Sequence, residues 1–293
     1  MKKSKPSVDS QDKDPAGAAK SSRQPLYGAE EAKSLQDREG FLEKQDQLRF
    51  PLLLENLGAC RRLVDIGCGW GQFLGLAQDR VPELWGVDES PDRIEDVKRS
   101  CPKAKMVICR ADRLTLPDRH FDAAVTSQML HEVKLFGEEG ELTKVLQEIE
   151  RVLKNGGRYL LLDHLDAGEG EAVARLPDEK MEQLTEFERK FKFYPARHQL
   201  VEANVIRTSR RCLQDFLTKT WSFNTGMESM EMKETHNVFQ KEETFGLMES
   251  CGFKVHKWIE FSDIRDELKA VGGEMVEGEA WNRKFLLVAT LEG

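Results

Sequence analysis

Asp65 is followed at alternate positions by Gly67, Gly69 and Gly71, in the run Leu-Val-Asp-Ile-Gly-Cys-Gly-Trp-Gly over residues 63–71. Apolar Leu63 and Val64 lead in, and residues 73–78 have helical spacing, so the pattern reads as a buried strand, a glycine turn and a helix start. Residues without a Cβ let the backbone come close to a ligand. Strand–turn–helix units hold nucleotide-like cofactors at the carboxyl ends of strands in open α/β sheets. The spacing is G-x-G-x-G rather than the G-x-G-x-x-G of dinucleotide sites. The acid just ahead of the turn suits an ammonium group better than a pyrophosphate. An adenosine with an amino-acid tail satisfies both, and S-adenosylmethionine is such a ligand.

The surrounding elements must position these groups. Residues 84–88 form a short apolar strand ending in Asp88, about 20 residues after the turn, where a carboxylate suits the two hydroxyls of a ribose. A third strand over 106–109 is followed by Arg110, Ala111 and Asp112, and a fourth spans 121–127. A helix closed by glycine at Gly156 and Gly157 precedes a fifth strand over 158–163. Alternating strands and helices argue a parallel sheet covered on both faces.

The chain resembles the class I S-adenosylmethionine-dependent methyltransferases, and among them the small-molecule enzymes of the ubiquinone/menaquinone-biosynthesis type. The resemblance is strong over about residues 40–165 and looser over 240–292. It rests on Val-Asp-Ile-Gly-Cys-Gly-Trp-Gly, Gly86-Val87-Asp88, Ala111-Asp112 with Leu116-Pro117, Phe121-Asp122, and Arg-Val-Leu-Lys-Asn-Gly-Gly at 151–157. It implies a Rossmann-like, doubly wound, mostly parallel seven-stranded sheet that ends in an antiparallel hairpin. Asp65 and the glycine turn would hold the methionine part, Asp88 the ribose, and Asp112 with the backbone of Ala111 the adenine. Gln128 would flank the sulfonium. N-terminal helices over 30–57, broken or restarted at Pro51, would cover the cofactor mouth, with Tyr27 as a lid aromatic.

Composition agrees. The chain has 293 residues and a formal net charge of −8, which disfavours a general nucleic-acid surface. It has no apolar run long enough to cross a bilayer and no signal-peptide core. Its six cysteines form no C-x-x-C pair, as expected of reduced thiols in a cytoplasmic protein. Residues 1–25 are polar and charged and read as a disordered tail, which leaves residues 26–293 as the methyltransferase domain.

Residues 167–238 break the strand–helix rhythm and read as a helical cap insertion, with helices over 177–193 and 208–219. Insertions on this edge set substrate choice in α/β enzymes. The cap holds a basic stretch from Arg189 to Arg211 with aromatics among the charges, which would suit an anionic or aromatic acceptor. Tyr194, His198 and Trp221 are its candidate acceptor contacts. Methyl transfer from a sulfonium needs a base only if the acceptor must lose a proton. His131, Glu132 and His164 are the candidate bases near the fourth and fifth strands, and His131, just after the fourth strand, is the first of them, since an ordinary imidazole titrates near 6.5. Asp163 and His164 could ligate a metal, but no third ligand is apparent in the sequence, so no metal is expected. The run Ser127-Gln128-Met129-Leu130 lacks the prolines that follow strand four in adenine and glutamine N-methyltransferases. A small molecule accepting methyl at O, N or C is therefore the leading reading. The alternatives are an RNA- or protein-directed enzyme and a non-catalytic S-adenosylmethionine-binding protein.

Overall fold

A computed structural model describes residues 39–292, with side chains from Leu48 onward. Tyr27 and the tail over 1–25 lie outside the described residues. Helix α1 (Glu39–Asn56) leads into β1 (Arg62–Ile66), α2 (Gln72–Ala77), β2 (Glu83–Asp88), α3 (Pro91–Ser100), β3 (Lys105–Ile108), β4 (Phe121–Ser127), α4 (Leu130–Phe136), α5 (Glu141–Val152) and β5 (Leu153–His164). The middle segment holds β6 (Glu171–Arg175), α6 (Asp178–Lys190), β7 (His198–Glu202), β8 (Val205–Ser209), α7 (Arg210–Lys219) and α8 (Glu228–Glu231). The chain closes with α9 (Lys241–Ser250), β9 (Phe253–Asp263), α10 (Ile264–Ala270), β10 (Glu274–Glu277) and β11 (Asn282–Leu291).

Seven strands form one sheet in the order β3-β2-β1-β4-β5-β11-β9. β1 to β5 run parallel, and β11 pairs antiparallel with both β5 and β9. The fold is the doubly wound sheet with a C-terminal hairpin that the sequence implies. Successive side chains of a strand point to opposite faces, and both faces are buried. Tyr159, Leu161, Phe285 and Leu287 pack on one side, and Leu160, Leu162, Leu286 and Val288 on the other. Strand order reverses between β1 and β4, so their carboxyl ends open the crevice where such sheets bind ligands.

Three local expectations change. Helix α1 runs through Pro51 instead of breaking there; proline removes one i→i−4 bond from a helix, and here Phe50 and Leu53 are buried on that helix and Leu57 just past its end. Gly156 and Gly157 do not close a helix. They lie inside β5, where the ladder with β4 slips between Phe121 and Ala123 and Gly156 takes φ +72. Pairing is regular from Arg158 onward.

The third change concerns the cap, which is not purely helical. β6, β7 and β8 join β10 in an antiparallel sheet of order β10-β6-β8-β7. Strands β7 and β8 are joined by a short turn with Asn204 at positive φ. β10 comes from the connection between β9 and β11, so the cap recruits a strand from outside 167–238. Its own core is built from Leu184, Phe187, Leu213, Phe216, Ile264 and Leu268.

Beneath that core, Lys219 is fully buried, with Nζ 3.2 Å from Glu231 and 3.9 Å from Glu234. Replacing Lys219 by Met leaves two buried carboxylates without their cation, which costs on the order of 3–5 kcal/mol. Urea unfolding of the Lys219→Met chain should show a loss of this size; a change under about 1 kcal/mol would mean that the pair does not support the cap.

Candidate functional site

The glycine turn between β1 and α2 is tied to the end of β2. The amides of Gly67 and Cys68 donate to the Val87 carbonyl at 2.8 and 2.9 Å. The Gly69 amide donates to Asp88 Oδ2 at 3.0 Å, and the Ser90 amide to Asp88 Oδ1 at 2.9 Å. All three glycines have positive φ, between +54° and +74°. A Cβ at Gly67 would stand 2.5 Å from Met129, whereas a Cβ at Gly69 would meet nothing within 4 Å. Gly69 therefore keeps open a cleft, and Gly67 keeps the turn against α4. Gly71 lines neither cavity described below. A Cβ there would press on Val97 of α3, so its place in the motif is one of packing.

Two adjoining cavities open at the carboxyl ends of the strands. The larger, about 370 Å³, is lined by Asp88, Glu89, Ala111, Asp112 and Phe136, among others. Asp112 is held by Arg110 at 2.8 Å, and Arg110 also reaches Glu141 at 2.7 Å. Burial opposes ionisation of Asp112, but the Arg110 hydrogen bond and charge outweigh it and hold the carboxyl below its ordinary range. The smaller cavity, about 190 Å³, is lined by Arg49, Asp65, Gly69, Ser127, Gln128 and Met227, with Glu231 beside them. Gly67, Arg93 and Glu132 line both. The second cavity thus lies between the glycine turn, α1 and the cap.

The electrostatics of this edge are set by close carboxylates. Burial, then the charge of Asp88, pushes Asp65 up to about 7, with Arg49 opposing. Burial, and the charges of Asp65 and Asp88, also push the Cys68 thiol well above its ordinary value. Gln128 takes φ +53 at the end of β4, a left-handed conformation uncommon for a residue with a Cβ. Its side chain accepts from Arg49 and contacts His164 Nε2 at 3.1 Å. The neighbouring Ser127 hydroxyl is buried without a hydrogen-bond partner and belongs to the lining of the smaller cavity.

His131 differs from the sequence expectation. It is buried and lines neither cavity. Its Nδ1 is 2.7 Å from Asp163 Oδ1, and its amide donates to Asp163 Oδ2 at 3.1 Å. Burial alone would lower its pKa, but the Asp163 charge and hydrogen bond outweigh that and raise it to about 9. The argument from an ordinary imidazole near neutrality therefore fails, because His131 is mostly imidazolium at pH 7.

The cap candidates are also placed differently. The Tyr194 hydroxyl donates to Asp215 at 2.7 Å, and His198 Nδ1 is 2.8 Å from Glu188. Neither residue, nor Trp221, lines the two cavities. Most of the basic stretch is ion-paired: Arg189 pairs with Glu186, Arg207 with Glu171 and Glu277, Arg210 with Glu279, and Arg211 with Asp166 and Glu169. Of the candidate bases, Glu132 lines both cavities. Sequence reasoning missed Arg49, Glu89, Arg93, Met227 and Glu231, of which Glu89 adjoins a residue that was found, Asp88. Met227 and Glu231 reach the cavity only through the path of the cap and carry no local signal.

A family profile described as a methyltransferase domain matches residues 64–161. An uncharacterized methyltransferase of Synechocystis sp. is 32% identical over 114 residues, which is 38% of this chain and 52% of that protein. An S-adenosyl-L-methionine-dependent Diels-Alderase of Talaromyces variabilis is 30% identical over 223 residues, 73% of this chain and 59% of that protein. The chain thus spans roughly half the length of these relatives. A Pyrococcus horikoshii protein of known crystal structure is similar in fold, with a TM-score of 0.51 at 18% identity, covering 86% of this chain and 91% of that one.

Asp65 yields a test that needs no ligand. Its folded pKa lies above the unfolded value, so the folded state holds the proton more tightly, and stability falls as pH rises from about 4 through about 7. Asp65→Asn removes this slope. Denaturation from pH 4.5 to 8 should show the variant gaining on the wild type by roughly 2–4 kcal/mol, with the gain levelling off above pH 7. A pH-independent difference would mean that Asp65 is ionised throughout.

Proposed function

We propose that this chain, which carries a class I S-adenosylmethionine-dependent methyltransferase domain, binds S-adenosylmethionine across the two cavities and transfers its methyl group to a small protic acceptor. The observation that carries the reading is the pair of adjoining cavities sharing Gly67, Arg93 and Glu132. One is suited to a nucleoside, with Asp88, Glu89 and Asp112 at the strand ends. The other is suited to an amino-acid tail and an acceptor, with Asp65 at its sheet side and the cap at its far side.

The residues present fit the cofactor. Gly69 projects no side chain into the smaller cavity, and burial and the charge of Asp88 push Asp65 up to about 7 against the opposing charge of Arg49. An ammonium group would add a second cation that favours its ionised form. Asp88 spends one lone pair of each oxygen on backbone amides, and a carboxylate oxygen retains capacity for a ribose hydroxyl. S-adenosylmethionine, when bound, supplies an electrophilic methyl on a sulfonium. The chain then contributes position and exclusion of water. Gln128, clamped between Arg49 and His164, fixes the wall at the end of β4. The Ser127 hydroxyl and the Glu132 and Glu231 carboxylates offer hydrogen-bond partners to an acceptor O–H or N–H. Glu231, rather than His131, is the group placed to receive an acceptor proton, because it lines the cavity and is held by Lys219.

Acidic lining and the ion-paired basic stretch both argue against a polyphosphate acceptor. No described helix is long and apolar enough to cross a membrane. A second reading, in which the bound sulfonium acts as a fixed cation and no methyl is transferred, is favoured by the similarity to a Diels-Alderase over 73% of this chain.

Release of S-adenosylhomocysteine across quinol, phenol, amine and fatty-acyl acceptors separates the two. Turnover with any small acceptor supports methyl transfer. Cofactor binding with no release across the panel favours the second reading. Asp88→Ala should weaken cofactor binding roughly 10- to 150-fold, the value of about 1.5–3 kcal/mol for hydrogen bonds to a charged group; calorimetry giving less than about threefold would contradict the ribose assignment. Glu231→Gln should lower turnover at least about tenfold while leaving cofactor affinity within about twofold. Equal loss in both would return Glu231 to a role in holding the cap.

A further inference from the structure

Behind the smaller cavity three histidines meet that are far apart in sequence. His131 comes from α4, His164 from the end of β5 and His236 from the cap. All three are buried, and one ring nitrogen of each lies within 4.8 Å of one on the others. In each ring one nitrogen is engaged. His131 Nδ1 meets Asp163 at 2.7 Å, His164 Nε2 meets Gln128 at 3.1 Å, and His236 Nε2 meets Glu234 at 3.3 Å. The remaining nitrogens of His164 and His236, both Nδ1, are buried with no hydrogen-bond partner.

This division of labour is that of metal-binding histidine, where one nitrogen bonds a carboxylate or amide and the other faces the ion. Ligating imidazoles must be neutral, so the ion displaces the proton that Asp163 favours on His131. Two buried polar atoms without partners are costly unless something satisfies them. Carboxylates are at hand as well: Glu231 and Glu234 form a second ligand group with His236. Against them stands Lys219, which neutralises only part of their charge.

We propose that His131, His164 and His236 bind one divalent transition-metal ion, with Zn²⁺ the first choice, which ties the cap to the sheet. Imidazole donors suit zinc and its neighbours rather than magnesium or calcium. As they stand, the His164 and His236 rings stack 4.1 Å apart with planes within 1°, so their lone pairs lie in parallel planes. Binding turns one ring and draws the nitrogens in to zinc bonds of about 2.0–2.1 Å. Asp163 acts through His131, fixing its tautomer with Nε2 toward the ion.

The test uses the full-length chain stripped with chelator, titrated with Zn²⁺ and, for its visible spectrum, Co²⁺. One equivalent should bind and raise the melting temperature. His164→Gln and His236→Gln keep a polar group where Nε2 bonds its neighbour and delete Nδ1. Together they should weaken binding at least 100-fold and abolish the melting shift, while all six cysteines remain. Asp163→Asn should weaken it 10- to 100-fold. If the double variant does not fold, each single variant should still weaken binding at least tenfold. Substoichiometric uptake by the folded wild type, or uptake unchanged in these variants, overturns the site.

Discussion

The site hangs on the interlock between the glycine turn after β1 and the end of β2. Two amides of the turn use the Val87 carbonyl and a third uses the Asp88 carboxylate. The turn must take positive φ at three glycines to make these bonds. Once made, they fix Asp65 and Asp88 as buried neighbours, and burial, then the charge of Asp88, raises the pKa of the first. The cleft, its polarity and the approach of α4 through Met129 all follow from where this loop lies. A doubly wound sheet offers such a crevice wherever its strand order reverses, and here the reversal falls between β1 and β4.

Much of this was legible in the sequence because it is local. Strand period, glycine spacing and an acid at a strand end lie within about ten residues of one another and need no tertiary partner to be recognised. The parallel sheet and the lining positions of Asp65, Gly67, Gly69 and Asp88 follow from such patterns, whereas the C-terminal hairpin and the places of Ala111, Asp112 and Gln128 came from the family resemblance. Gly71, though part of the same motif, packs on Val97, because spacing alone does not say which side of a turn faces the cleft.

The cap was less legible for the converse reason. β6 pairs with β10, about a hundred residues later, and β10 is too short and polar to announce itself. The basic stretch reads as a charged face only until Asp166, Glu169, Glu171, Glu277 and Glu279 arrive from elsewhere to pair with most of it. Tyr194 and His198 look like ligand contacts by residue type, yet each has a carboxylate partner inside the protein. His131 was found, but its chemistry was not, since Asp163 lies 32 positions away and decides its protonation. His236 gave no signal at all until the cap folded over β5.

Cys68 sits at the centre of the glycine turn, and its environment has a bearing on self-inflicted damage. Thiols react with alkylating agents as thiolates. If the loop holds S-adenosylmethionine as proposed, a thiolate here would be open to alkylation by the sulfonium. Here the same two carboxylates that polarise the cleft, together with burial, keep the proton on Cys68. The nearest soft nucleophile in the turn is thereby silenced, and the protein gains chemical endurance from charges placed for another purpose.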